Sequence, residues 1–162
     1  MMNKKGQLLE KPFMFLFITI VGALVFIFGI YLVKSLMQTS DCAQVGLFVN
    51  DLRKNVDRYY NFDFGSSTKI SLRLPNSIEY VCFKNNNEDL DKAKLDKIDQ
   101  NLFTILDNSK DNVIFTPINK CDKTFFKVDK IIIKNNPLCI LNTGIVKIGL
   151  ENQGDFVEIT KA

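Results

Sequence analysis

The chain has 162 residues, with 21 Lys and Arg against 18 Asp and Glu, four Cys and no His. The missing His excludes Ser-His and Cys-His nucleophile systems and His-ligated metal centres. A net charge of +3 is small, and its placement leaves no basic surface for nucleic acid.

The first eleven residues carry Lys4, Lys5 and Lys11 against Glu10 alone. An uncharged run, PFMFLFITIVGALVFIFGIYLV, follows from Pro12 to Val33 and ends at Lys34. At the helical rise it extends roughly 33 Å, enough to cross a hydrocarbon core of ~30 Å. A cleaved secretory signal has a shorter apolar centre, of about 7–15 residues, and a small-x-small cleavage site. Neither fits here, so a retained anchor in membrane lipid is expected. The lysines on its N-terminal side orient it with the N-terminus in the cytoplasm. The expected division is a cytoplasmic tail over 1–11, a transmembrane anchor over 12–37 and an extracytoplasmic domain over 38–162. Residues 1–38 hold all of the net charge, and the rest balances 17 bases against 17 acids. Gly22 and Gly29 lie seven apart, on one helical face, where small residues permit close helix-helix self-association. Pro12 suits a first helical turn, where its missing N–H costs nothing.

Lys4-Lys5-Gly6-Gln7, then Glu10, then the apolar run resembles the N-terminus of archaeal type IV pilin-like proteins. The resemblance covers about the first 33 residues. It implies a peptidase cut between Gly6 and Gln7, with Glu10 at the family's acidic position. It also implies a long helix whose first half lies in the membrane and later packs in a filament core. The sequence departs from the family in three places. Glu10 stands one residue too close to the cut, Leu9 occupies a position often held by Ser, and Lys11-Pro12 interrupts the helix start.

Beyond the anchor, Cys42, Val45, Phe48/Val49, Leu52, Val56 and Tyr59/Tyr60 recur every three or four residues, forming one apolar stripe. This predicts an amphipathic helix that either packs on its own domain's sheet or receives a partner helix. From Thr68 the period becomes strand-like. Ile70, Leu72 and Leu74, a turn at Pro75-Asn76-Ser77, and Ile78 to Phe83 predict a hairpin. Leu95, Ile98, Leu102 and Leu106 predict one helix within the polar stretch 85–111. Further strands are expected over 113–116, 125–133, 138–141, 145–150 and 156–160, with Gln153-Gly154 turning between the last two. The predicted fold class is therefore α+β, with the helix lying on an antiparallel sheet in one domain.

All four cysteines fall on the side expected to be oxidising. Their spacing lacks C-x-x-C, which disfavours zinc and leaves three disulfide connectivities open. Environment selects one. Cys82 and Cys139 lie in apolar strands, whereas Cys42 and Cys121 lie in polar surroundings at element ends, so Cys82–Cys139 and Cys42–Cys121 are the expected pairs.

No catalytic constellation emerges, and no cofactor or metal is expected. Ser66-Ser67-Thr68-Lys69 matches S-x-x-K, but it stands in a Gly-Ser turn without partner motifs. Asp89, Asp91, Asp96 and Asp99 lack the Gly and closing Glu of a calcium loop, and Lys92, Lys94 and Lys97 interleave with them. The sequence thus reads as a single-pass anchored structural or interaction protein with an unknown protein partner. A pilin-like filament or pilus-assembly subunit is the alternative, and an anchored Ser66/Lys69 hydrolase a remote third.

Overall fold

The computed structural model describes residues 7–162, and the side chains of residues 12–162 apart from that of Asn119. Gly6, at the proposed cut, lies outside the described residues. The chain divides into two compact units, the second being Ser40–Ala162. One helix, α1 (Gln7–Tyr60), contributes to both. Pro12 falls inside this helix and not in its first turn as expected. There it withholds the amide that would bond the Leu8 carbonyl.

In the second unit, α1 is followed by β1 (Ser67–Arg73), β2 (Tyr80–Phe83), α2 (Lys92–Leu95), α3 (Leu102–Asn108) and β3 (Val113–Thr116). Then come a 3-10 turn (Ile118–Lys120), β4 (Phe125–Phe126), β5 (Ile131–Ile132), β6 (Leu138–Leu141), β7 (Ile145–Asn152) and β8 (Val157–Lys161). The strands form two four-stranded sheets, ordered β1-β7-β8-β5 and β4-β3-β2-β6. All pairings are antiparallel except β5 with β8. The α+β expectation holds, with two antiparallel-rich sheets in place of one.

The apolar stripe of α1 makes one side of the main core. Val45, Phe48, Val49, Leu52 and Val56 are all at most 2% exposed. They pack with Leu72, Val146, Ile148, Leu150, Val157 and Ile159 from the first sheet and with Val81, Phe83, Val113 and Phe115 from the second. Phe48 meets Phe115 edge-to-face at 5.5 Å, and Phe115 meets Phe126 at 5.8 Å, a geometry that aromatic quadrupoles favour. The other face of the second sheet is covered as well. Cys82 and Ile114 pack there with Leu95, Leu102 and Leu106. The central strands β2 and β3 are therefore buried on both sides and read as continuous apolar runs.

Three expectations fail, each for a physical reason. The hairpin over 70–83 does not form, because β1 pairs with β7 and β2 pairs with β3 and β6. The expected turn does form, with Asn76 exposed and Ile78 N donating to Pro75 O at 3.0 Å. Leu74, Pro75 and Ile78 around it are buried, however, and it passes the chain from one sheet to the other. Asn142 Nδ2 holds the crossing by donating to the carbonyls of Pro75 and Ile78, each at 2.8 Å. The single helix over 95–106 is two short helices. Asn101 N donates to Asp99 Oδ1 at 2.8 Å, and such local bonds compete with helix propagation. The strand over 125–133 is split between the sheets. Lys130 takes φ 62°, and Asn112 pairs through its side chain with both N and O of the buried Val128.

Candidate functional site

The feature with the clearest functional chemistry is the apolar stretch of α1 and the way its continuation is held. It belongs to the one described helix long and apolar enough to cross a membrane. Phe13, Met14, Phe15, Leu16, Phe17 and Ile18 are each 58–72% exposed. Large apolar side chains without a partner need lipid or another protein surface around them. Two hydroxyls along it bond within the helix. Thr19 Oγ1 donates to Phe15 O at 2.8 Å and Thr39 Oγ1 to Ser35 O at 3.0 Å, as a low-dielectric surrounding demands. A Cβ added at Gly22 or Gly29 meets nothing within 4 Å. At Gly29 the surface dips into a shallow notch between Val25, Phe26, Ile30 and Val33.

Within the second unit, α1 is pinned at three levels. Cys42 is disulfide-bonded to Cys121, with Cα atoms 5.5 Å apart. Arg53 Nη2 donates to the Lys127 carbonyl at 2.7 Å. At the helix end, Asn152 Nδ2 donates to the carbonyls of Tyr59, Tyr60 and Phe62 at 3.0, 3.1 and 2.8 Å. The last carbonyls of a helix lack an intrahelical donor. Here Tyr59 O also accepts from Phe62 N at 3.2 Å, and Asn152 adds a donor to all three. Lys130 adds an ion pair to Asp57 at 3.7 Å and stacks 4.0 Å from the Tyr60 ring centre. Gly154 at φ +90° closes the β7–β8 turn, its N–H donating to Asn152 Oδ1 at 2.6 Å.

The second disulfide joins Cys82 and Cys139, which are cross-strand partners in β2 and β6. Both connectivities are the pairs expected from environment. Sequence reasoning missed the asparagines entirely, although five of them (Asn85, Asn112, Asn136, Asn142 and Asn152) bracket loops through their side chains. It also missed Lys84, which is 5% exposed, with Nζ donating to the carbonyls of Leu106 and Ser109 at the end of α3. Burial holds the Lys84 pKa below the ordinary lysine value, while Asp107 and Asp111 pull it back up.

The other residues weighed for chemistry are not assembled into a site. Ser66 and Lys69 are three residues apart on extended chain, which directs their side chains to opposite faces. Lys69 is exposed. Among the described residues, no group of three or more Cys, Asp or Glu could hold a metal ion. Asp91 instead caps α2 through Lys94 N at 3.3 Å and pairs with Lys94 Nζ at 3.2 Å. The bond to Lys94 holds the exposed Asp91 carboxyl below its ordinary pKa. Gln7 and Glu10 lie in α1, in the part whose side chains are not described. No protein family, curated protein or solved structure matches the chain.

Proposed function

We propose that this chain is a single-pass membrane-anchored structural or interaction protein with an extracytoplasmic, disulfide-bonded α+β domain. One observation carries the reading. The same helix is apolar and bare over residues 12–37, and from Val45 onward it forms the wall of a domain core. An apolar helix with no protein partner is the signature of a segment that uses lipid as its solvent. The lysines at 4, 5 and 11 support a cytoplasmic N-terminus, and two disulfides on the far side of the anchor support an oxidising location for residues 38–162. Protease added to intact cells is expected to digest epitopes beyond Gln38 and spare residues 1–11. Protection of the C-terminal part overturns the orientation.

The second reading, a pilin-like filament or pilus-assembly subunit, draws support from the continuity of α1. No linker separates its apolar part from its domain part. A simple anchor has no need of that, whereas a subunit docked through its helix does. Mass spectrometry of the mature chain separates the two. We expect the residues before Gln7 to remain attached and membrane extracts to contain no filaments. A mature N-terminus at Gln7, abolished by Gly6→Val, makes the filament reading the first choice.

A further inference from the structure

We propose that the free edge of β1 is a strand-addition site for an extended segment of a partner protein whose alternate residues are acidic. This goes beyond the anchor reading and stands without it.

β1 is the outermost strand of its sheet and pairs only with β7. At its ends, Asn152 N donates to Ser66 O at 2.9 Å and Leu74 N to Gly144 O at 3.2 Å. Even-numbered residues therefore bond toward β7. By the alternation of an antiparallel ladder, the N–H and C=O groups of Ser67, Lys69, Ser71 and Arg73 face away from it. All four residues are exposed, and no other described residue bonds those main-chain groups. The remaining sheet edges are shorter, since β4 and β5 have two residues each and β6 has four.

A cleft of about 430 Å³ runs beside this edge, walled by Gln44, Leu47 and Asp51 of α1 and by Ser71, Leu72 and Arg73 of β1. Leu47 is 60% exposed there, although its neighbour Phe48 is buried. The cleft thus offers one exposed apolar side chain, Leu47, among polar ones alongside an open ladder, and strand addition combines such a ladder with side-chain pockets.

Charge decides the occupant. The outward positions of β1 carry Lys69 and Arg73, Lys147 of β7 lies opposite Ser71, and the one acid among these β1–β7 positions, Glu151, lies opposite Ser67 at the far end. No acid stands among the outward residues of β1. A second copy of β1 would bring Lys69 and Arg73 against the same cations. Like charges across strands destabilise pairing, and lysines on an edge are a common defence against self-association. A segment with acids facing Lys69 and Arg73 turns that repulsion into attraction. Its intervening residues then point the other way, toward Leu47, and are apolar.

The test uses the full chain in detergent micelles and two fluorescent peptides, one alternating Asp with Val and the other alternating Lys with Val. Saturable binding of the Asp peptide is expected, at least about tenfold tighter than that of the Lys peptide. N-methylation of its ladder-facing amides should weaken binding about tenfold, the size of one or two lost hydrogen bonds. Ser71→Pro removes one outward amide where an edge strand tolerates proline, and Lys69→Glu reverses one charge. Each should weaken the Asp peptide similarly while circular dichroism stays unchanged. Hydrogen exchange at Lys69 and Ser71 should slow only with the Asp peptide bound. Absence of saturable binding, equal affinity for both peptides, or binding that survives N-methylation overturns the proposal. So does pairing of β1 with a second copy, seen as crosslinks between two β1 strands.

Discussion

Cys42 and Cys121 are joined by a bond that closes a loop of 79 residues, and it ties α1 to the loop after β3 at the start of the helix's buried stretch. The closure removes denatured-state entropy worth about 4.5 kcal/mol in the chain-entropy model. Non-reducing peptide mapping is expected to link Cys42 with Cys121 and Cys82 with Cys139. Replacing either pair by Ala should lower the unfolding free energy of the domain by about 2–4 kcal/mol. Four free thiols in material from the native compartment would contradict both links.

Asn152 is 2% exposed and is the cap of α1. Asp at this position has the same shape but no N–H to offer, so three carbonyls would face a carboxylate. Asn152→Asp should destabilise the domain by about 2–4 kcal/mol, more than Asn152→Ala does. Chemical denaturation of the two variants side by side measures the difference. Equal losses would mean that the side chain only fills space.

Lys84 sets an alkaline dependence. Its folded pKa lies below the unfolded value of 10.5, so between the two the unfolded chain binds more protons. Stability attributable to this residue therefore rises with pH through that window and is lower at neutral pH. Lys84→Met removes the titration and leaves the carbonyls of Leu106 and Ser109 without their donor, costing about 1–3 kcal/mol at pH 7. Urea unfolding at neutral pH and near pH 10 should show the wild-type advantage growing with pH. An advantage that shrinks on alkalinisation would reverse the sign.

The notch at Gly29 tests self-association of the apolar helix. Gly22→Leu and Gly29→Leu should fill space that is open in the single chain and reduce helix-helix association in a membrane reporter assay. Stability of the disulfide-bonded domain should be unchanged, because neither residue belongs to it. Association that is indifferent to both changes would leave these glycines without a packing role.

The apolar run from Pro12, the stripe from Val45 to Val56 and the strands at 113–116, 138–141 and 145–150 were legible in the sequence, because each is set by local periodicity. The disulfide pairing was legible too, since each bond joins two cysteines with neighbours of like polarity, although Cys139 is no more buried than Cys42 or Cys121. The destinations of the strands were not. Ile70–Leu74 and Ile78–Phe83 looked like a hairpin, yet the buried Leu74, Pro75 and Ile78 carry the chain from one sheet to the other. Pairing depends on which distant strand offers the longest matching face, and for β1 that is β7, more than 70 residues later.

Asparagine roles were hidden for the same reason. A side-chain amide looks alike in every Asn, and only contact with Pro75, Val128 or Tyr60 distinguishes a loop clamp from a surface residue. By itself the sequence determined where the apolar helical stretch and the mixed, domain-forming stretch begin, because hydropathy is a property of each residue and its near neighbours. Tertiary structure alone decided the two sheets, the helix cap and the open edge of β1. Each of these depends on hydrogen-bonding groups that meet only after the chain has closed loops of tens of residues.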